Sequence, residues 1–210
     1  MNDLMSFGLH KIWKKDLIKY TKNEQADIIL DLAGGTGDIT NALSKNFQSS
    51  SIYLYDLSLE MINQSKYRKE SKNKNIYYVN GNADQLAFQN NSIDLITLAF
   101  GLRNFSNIEK SVIECNRVLK YGKRIYILEF SPKVNEIIEP FYEYYSNKII
   151  PLIGKKVAAN YDAYKYLVES IKNFPHNKEL KNIFTKNGFF CYNHKIYFGG
   201  IAHLNIFSKI

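Results

Sequence analysis

Four short polar segments hold the residues whose types and spacing suit chemistry. The first, Asp31-Leu32-Ala33-Gly34-Gly35-Thr36-Gly37-Asp38, is a glycine-rich turn, where a ligand can approach the backbone because no Cβ intrudes. Gly34 and Thr36 are its candidate contacts. Asp56 stands 19 residues after Gly37, a position from which a carboxylate can accept both hydrogen bonds of a ribose diol. Asn82-Ala83-Asp84 is a polar turn suited to the amino group and ring nitrogens of adenine. Phe100-Gly101-Leu102-Arg103-Asn104 places a guanidinium and a carboxamide on an apolar loop. Such groups are costly to bury unpaired and useful for gripping a phenolic oxygen. Each segment also has a plain structural account: a tight turn, a helix cap, an Asx turn or a structural ion pair. Together they suit one adenosine-containing ligand, and both a nicotinamide dinucleotide and S-adenosyl-L-methionine (SAM) remain open. Gly35-x-Gly37 begins a dinucleotide fingerprint, but Thr40 occupies the place of its third Gly or Ala.

These segments follow apolar runs that read as strands. Residues 26–33 (ADIILDLA), 51–56 (SIYLYD), 75–80 (NIYYVN), 92–99 (SIDLITLA) and 123–130 (KRIYILEF) are five of them. Helical segments are expected over 37–47, from Ser58 as N-cap, and over 106–120. Alternating strands and helices imply right-handed βαβ units and a mostly parallel sheet, with ligands bound outside the carboxyl ends of the strands. After Phe130 the pattern changes. Residues 137–150 and 161–174 read as aromatic-rich helices, 176–186 as one more, and 189–197 with 201–207 as a terminal hairpin around Gly199-Gly200.

The 210 residues suffice for one α/β domain, and no linker or repeat divides them. A composition of 45% hydrophobic and 14% aromatic residues is that of a chain with a packed core. The net charge of +8 is scattered, without a long basic run, and reads first as a solvated surface and second as a face attracted to anionic membranes. Only Cys115 and Cys191 occur, with no CxxC pair or clustered histidines, so neither a metal site nor a disulfide framework is expected. With no secretory leader or membrane span in view, a cytoplasmic protein is expected, with peripheral contact at the inner membrane face. A nucleic-acid methylase is disfavoured. There is no Asn/Asp-Pro-Pro-aromatic turn after the fourth strand, and Cys115 falls in a helix rather than a catalytic loop. No nucleic-acid partner is expected.

Residues 1–13 (MNDLMSFGLHKIW), 30–38 (LDLAGGTGD), 99–104 (AFGLRN), 117–120 (RVLK) and 164–171 (YKYLVESI) resemble the ubiquinone/menaquinone biosynthesis C-methyltransferase family. The resemblance runs nearly end to end. It implies a Rossmann-like class I SAM-dependent α/β fold with a seven-stranded sheet and a C-terminal antiparallel hairpin. It implies methylation of a ring carbon on a polyprenylated benzoquinol or on demethylmenaquinol, with a polyprenylated quinol, the membrane surface and other quinone-biosynthesis enzymes as partners. Carried over by position, the family's cofactor contacts fall on Thr36, Asp56, Asn82 and Ala83. Its serine ahead of FGLRN is Ala99 here.

Two departures stand out. Family members usually carry a few dozen residues before the MNDLMS block, including a Tyr-Asp pair that helps cover the cofactor, so either a shortened lid or a misassigned start codon is expected. The family tail resembles GGIVALHxG, whereas this chain has Asn205 at the usual His position. A SAM-binding remnant without catalysis is therefore the alternative reading. For a catalyst, Arg103 and Asn104 are the expected catalytic pair, stabilising a phenolate and holding its oxygen. Residues 137–168 are the expected cover over the substrate.

Overall fold

A computed structural model describes residues 6, 8–68, 75–135 and 161–210, with side chains at 161–164 left out. Seven strands form one sheet in the order β3-β2-β1-β4-β5-β7-β6. They are β1 (Ile28–Leu32), β2 (Ser51–Asp56), β3 (Ile76–Asn80), β4 (Ile93–Ala99), β5 (Leu119–Phe130), β6 (Phe189–Tyr197) and β7 (Ala202–Lys209). The first five pair in parallel, and β7 runs antiparallel between β5 and β6. Strand order reverses between β1 and β4, which opens a crevice at their carboxyl ends.

Successive residues of the central strands serve opposite layers, which is why these strands read as continuous apolar runs. Ile29 and Leu95 join a core with Trp13, Leu17 and Leu43. Leu30 and Ile96 join another with Val112, Leu180 and Phe184. The first layer is supplied by α1 (His10–Thr21), α2 (Asp38–Asn46) and α5 (Tyr161–Lys172), the second by α4 (Ile108–Val118) and α6 (Asn177–Lys186). α3 (Leu59–Tyr67) follows β2. Leu43 is fully buried, so Leu43→Ala would cost about 2–5 kcal/mol.

Local chemistry explains the helix starts. Ser58 caps α3 by accepting the Met61 amide at 3.3 Å, as its sequence position predicts. Asn107 does the same for α4, accepting from Lys110 at 2.9 Å. β5 starts earlier than the expected residue 123. Its pairing with β4 jumps from Ile93–Leu119 to Leu95–Arg124, and the intervening residues bulge out around Gly122 at φ 73°. Residues 121–122, expected to separate a helix from a strand, therefore lie inside the strand. α1 is an element that the strand–helix periodicity leaves unassigned. Its Trp13 ring packs against Phe100, Phe130 and Tyr197 at 5.7–6.5 Å between centroids.

Cys115 is buried on α4, where burial pushes its thiol up to about 12; it is an inert core group. Among the described residues no helix is long and apolar enough to cross a membrane, and no cluster of three or more His, Cys, Asp or Glu side chains could hold a metal. The expected helix over 137–150 and most of the expected cover over 137–168 lie outside the described residues.

Candidate functional site

The loop after β1 is built for close approach. Ala33 and Gly35 have φ of 52° and 53°, and Gly37, the N-cap of α2, has φ 79°. A Cβ on Gly34 would lie 2.8 Å from Leu54 Cγ and 3.0 Å from Asp31 Oδ2, so the loop can follow this path only with glycine there. Beneath it Asp31 is buried and accepts hydrogen bonds from Thr40 Oγ1 at 2.5 Å and Thr97 Oγ1 at 2.8 Å. Burial pushes the Asp31 carboxyl up to about 6, against the pull of both hydroxyls and of Lys14. The positive φ of Ala33, a residue with a Cβ, stores strain of the kind found where function fixes the backbone.

Asp56 closes β2 and clamps two loops. One carboxylate oxygen accepts the Gly35 amide at 2.8 Å and the other accepts the Ser58 amide at 2.8 Å. Each oxygen keeps acceptor capacity towards the cleft. Both sequence readings of Asp56, loop anchor and diol acceptor, are compatible with this geometry. Tyr55 passes so close to Gly81 that a Cβ there would meet its hydroxyl at 2.1 Å.

The turn after β3 divides its roles. Asn82 is exposed and accepts the Asp84 amide at 3.0 Å in an Asx turn, and Ala83 is buried beside it. Asp84 accepts from Ser106 Oγ at 3.1 Å and Ser111 Oγ at 2.7 Å. Its carboxylate ties the turn to the start of α4 instead of facing the base, which corrects the expectation for that one residue.

The loop after β4 meets the loop after β1. Phe100 has φ 59°, and its amide donates to Leu128 O at 2.8 Å. A Cβ on Gly101 would stand 2.5 Å from Ala33 Cβ, so glycine is what lets the two loops touch. Arg103 turns inward. Its guanidinium donates to Glu129 Oε1 at 2.6 Å and to Phe100 O at 2.6 Å, and lies 5.5 Å from the Phe130 ring centre. The Arg103 and Glu129 side chains are only 6% and 3% exposed, so they form a buried pair. Asn104 is exposed, and its Oδ1 accepts from the Tyr166 hydroxyl at 3.2 Å.

These loops enclose a cleft of about 420 Å³. Of the sequence-derived candidates, Gly34, Thr36, Asp56, Asn82, Ala83 and Asn104 line it, with Ala99 alongside. Arg103 does not line it. Asp38 and Phe100, from the first and fourth polar segments, also line it, and Lys14, Leu57 and Met61 line it unanticipated. Glu129 and Tyr166, the partners of the FGLRN loop, were also missed. Glu129 had a visible signal, a single acid in the apolar run IYILEF. The altered tail falls elsewhere: Asn205 is 2% exposed, lies opposite Ile127 and His194 in the sheet, and is not a lining residue.

An adenosine-bearing group fits these residues. Glycines at 34, 81 and 101 occupy places a Cβ would fill, and Asp56 offers acceptors on the cleft side.

Comparison with known proteins gives one answer. The model of the ubiE/COQ5 methyltransferase family matches residues 1–209. The ubiquinone/menaquinone biosynthesis C-methyltransferase UbiE of Francisella tularensis subsp. novicida is 40% identical, over 100% of this chain and 85% of its own. Its namesake from Rickettsia prowazekii is 40% identical over 100% and 87%. Among solved structures, a SAM-dependent methyltransferase from Aquifex aeolicus superposes with a TM-score of 0.70 at 17% identity, covering 96% of this chain and 92% of that one.

Proposed function

Because the chain belongs to the ubiE/COQ5 methyltransferase family, we propose that it methylates a ring carbon of a polyprenylated quinol, a benzoquinol or demethylmenaquinol, in ubiquinone and menaquinone biosynthesis, with SAM as methyl donor. The observation that carries this reading is the meeting of four strand-end loops, after β1 to β4, on one cleft. Bound SAM supplies an electrophilic methyl group. The chain's part is to bind, align and polarise. Asp56 accepts from the ribose hydroxyls, Asn82 and the Ala83 backbone face the adenine, and Gly34 and Thr36 leave room for the rest. Such alignment can lower a barrier by about 7–11 kcal/mol.

On the acceptor side Asn104 holds the ring oxygen through its carboxamide, with Tyr166 fixing its orientation. Arg103 is assigned a different role from the one its sequence suggested. With its Nη1 donating to both Glu129 and Phe100, it positions the loop and biases the field at the cleft wall instead of touching the phenolate. A nicotinamide-dependent reading shares the adenosine-fitting geometry and is set aside on the family match. The remnant reading is countered by the altered tail lying outside the cleft.

The acceptor's isoprenoid tail calls for an apolar approach. Leu57, Leu59 and Met61 are 71%, 56% and 39% exposed, and Leu57 and Met61 line the cleft mouth. We assign this lip, on a chain of net charge +8, to transient contact with the bilayer. The test of the whole reading is transfer of a labelled methyl group from SAM to a short-tailed demethylmenaquinol or benzoquinol by purified protein. Carbon-linked label in the ring is expected. Label on oxygen, or none with SAM demonstrably bound, would overturn it.

A further inference from the structure

Resting on the cofactor reading above, we infer that Lys14 binds the carboxylate of the cofactor's methionine end, and that Asp38 holds it in position to do so. Asp31, Asp38 and Asp56 line the cleft as acids, and Lys14 is the one cation among the described lining residues. The amino-acid end of SAM carries a carboxylate, which three acids alone would repel. A cation is needed, and α1 delivers one.

The delivery is well defined. Trp13, the preceding residue, is 2% exposed and locked between Phe100, Phe130 and Tyr197. That anchor fixes α1 beneath the loop after β4, so Lys14 emerges next to the loop after β1. Its ammonium donates to Asp38 Oδ2 at 2.9 Å, while Arg68 bonds the other oxygen of Asp38. Burial works against ionisation of Asp38, but Lys14 and Arg68 outweigh it and lower its carboxyl to about 2. Asp38 therefore stays charged at working pH. An ammonium has three donors, and the described bond to Asp38 takes one. Asp38, at the first position of α2, also presents a negative group towards the cofactor's own ammonium.

The test compares two ligands that differ only at that end. S-adenosylhomocysteine keeps the amino-acid portion, and 5′-methylthioadenosine lacks it. In calorimetry, Lys14→Met should weaken S-adenosylhomocysteine binding roughly 10–100-fold, the loss of a charge-assisted contact. Methylthioadenosine affinity should stay within twofold. The ratio of the two affinities is read on folded protein, so a loss of stability does not obscure it. Asp38→Asn should move the ratio in the same direction by less. An unchanged ratio in Lys14→Met, whether both ligands weaken equally or neither does, would overturn the assignment. Wild-type protein that binds neither ligand would instead overturn the cofactor reading on which it rests.

Discussion

Asp31 on β1 is buried and His203 on β7 half-buried, and the two ends of the sheet treat such titratable groups differently. At the parallel end, Asp31, Asp56 and Asn82 are held by neighbours and still border the cleft. At the antiparallel end the polar groups mainly bond one another. His194 Nε2 and His203 Nδ1 are 2.9 Å apart, with the Asn177 carboxamide 3.2 Å from His194. Lys209, 5% exposed, donates to Asn116 O, Leu119 O and Asn91 Oδ1 at 2.6–2.8 Å, closing the end of α4. Parallel strands put all their carboxyl ends on one edge, so polar groups there converge on a ligand. Antiparallel strands alternate their ends, and their polar groups pair across the ladder. Function and stability are thus separable between the halves, and substitutions can test this.

The largest effect is expected from Gly34→Ala. A methyl group 2.8 Å from Leu54 Cγ displaces the loop, and SAM affinity should fall by at least roughly 100-fold, about 2.7 kcal/mol. Calorimetry on a variant shown to be folded by circular dichroism would measure it. Retained affinity would mean the cofactor lies elsewhere.

Asp56→Ala comes next. Losing the diol contact should cost about 2–3 kcal/mol, a roughly 30–150-fold loss in SAM affinity. The hairpin counterpart His203→Gln should leave that affinity within twofold. Equal losses in the two variants would erase the contrast between the halves.

Arg103→Lys keeps the charge but loses the planar guanidinium whose Nη1 bonds both Glu129 and Phe100. A roughly tenfold fall in kcat with SAM affinity unchanged is expected, about 1.4 kcal/mol of barrier. A fall in cofactor affinity without a fall in kcat would show that the loop serves binding and not the acceptor.

The last test is a pair of pH slopes of opposite sign. Asp31 has its folded pKa raised to about 6 by burial. Between about pH 4 and 6 the native chain binds the proton more readily, so this group's contribution to stability falls as pH rises. For His203, burial first and then the charges of His194 and Lys181 bring the imidazole down to about 4. The unfolded chain protonates first, so its contribution is present above about 6.5 and is lost as pH falls towards 4. Each slope is at most about 1.4 kcal/mol per pH unit. Urea unfolding across that range should show Asp31→Asn removing the first slope and His203→Gln the second. A variant with the wild-type slope would refute the corresponding assignment.

The sequence made the strands and loops more legible than the side-chain contacts between them. The bounds of β2 and β6 are those expected, Ser58 caps α3, and the loops carrying Gly34, Asp56, Asn82 and Asn104 sit where strand-following segments should. Spacing alone could not show that Arg103 turns its guanidinium to Glu129, because that partner lies 26 residues away and meets it only once β4 and β5 pair. Nor could it show that Asp84 serves Ser106 and Ser111. Lys14 was hidden for a related reason: a lysine in a lysine-rich chain gains meaning only when Trp13 fixes its helix against the sheet.

The central claim, methyl transfer to a quinol ring, is tested most directly in a host lacking its own enzyme for this step. Quinones extracted from cells expressing the wild-type chain, or its Asp56→Ala variant, would be profiled by mass spectrometry. Ring-methylated ubiquinone or menaquinone should reappear with the wild type and be strongly reduced with the variant. Accumulation of only the demethylated precursors, with the wild-type protein folded and shown to bind SAM, would contradict the account.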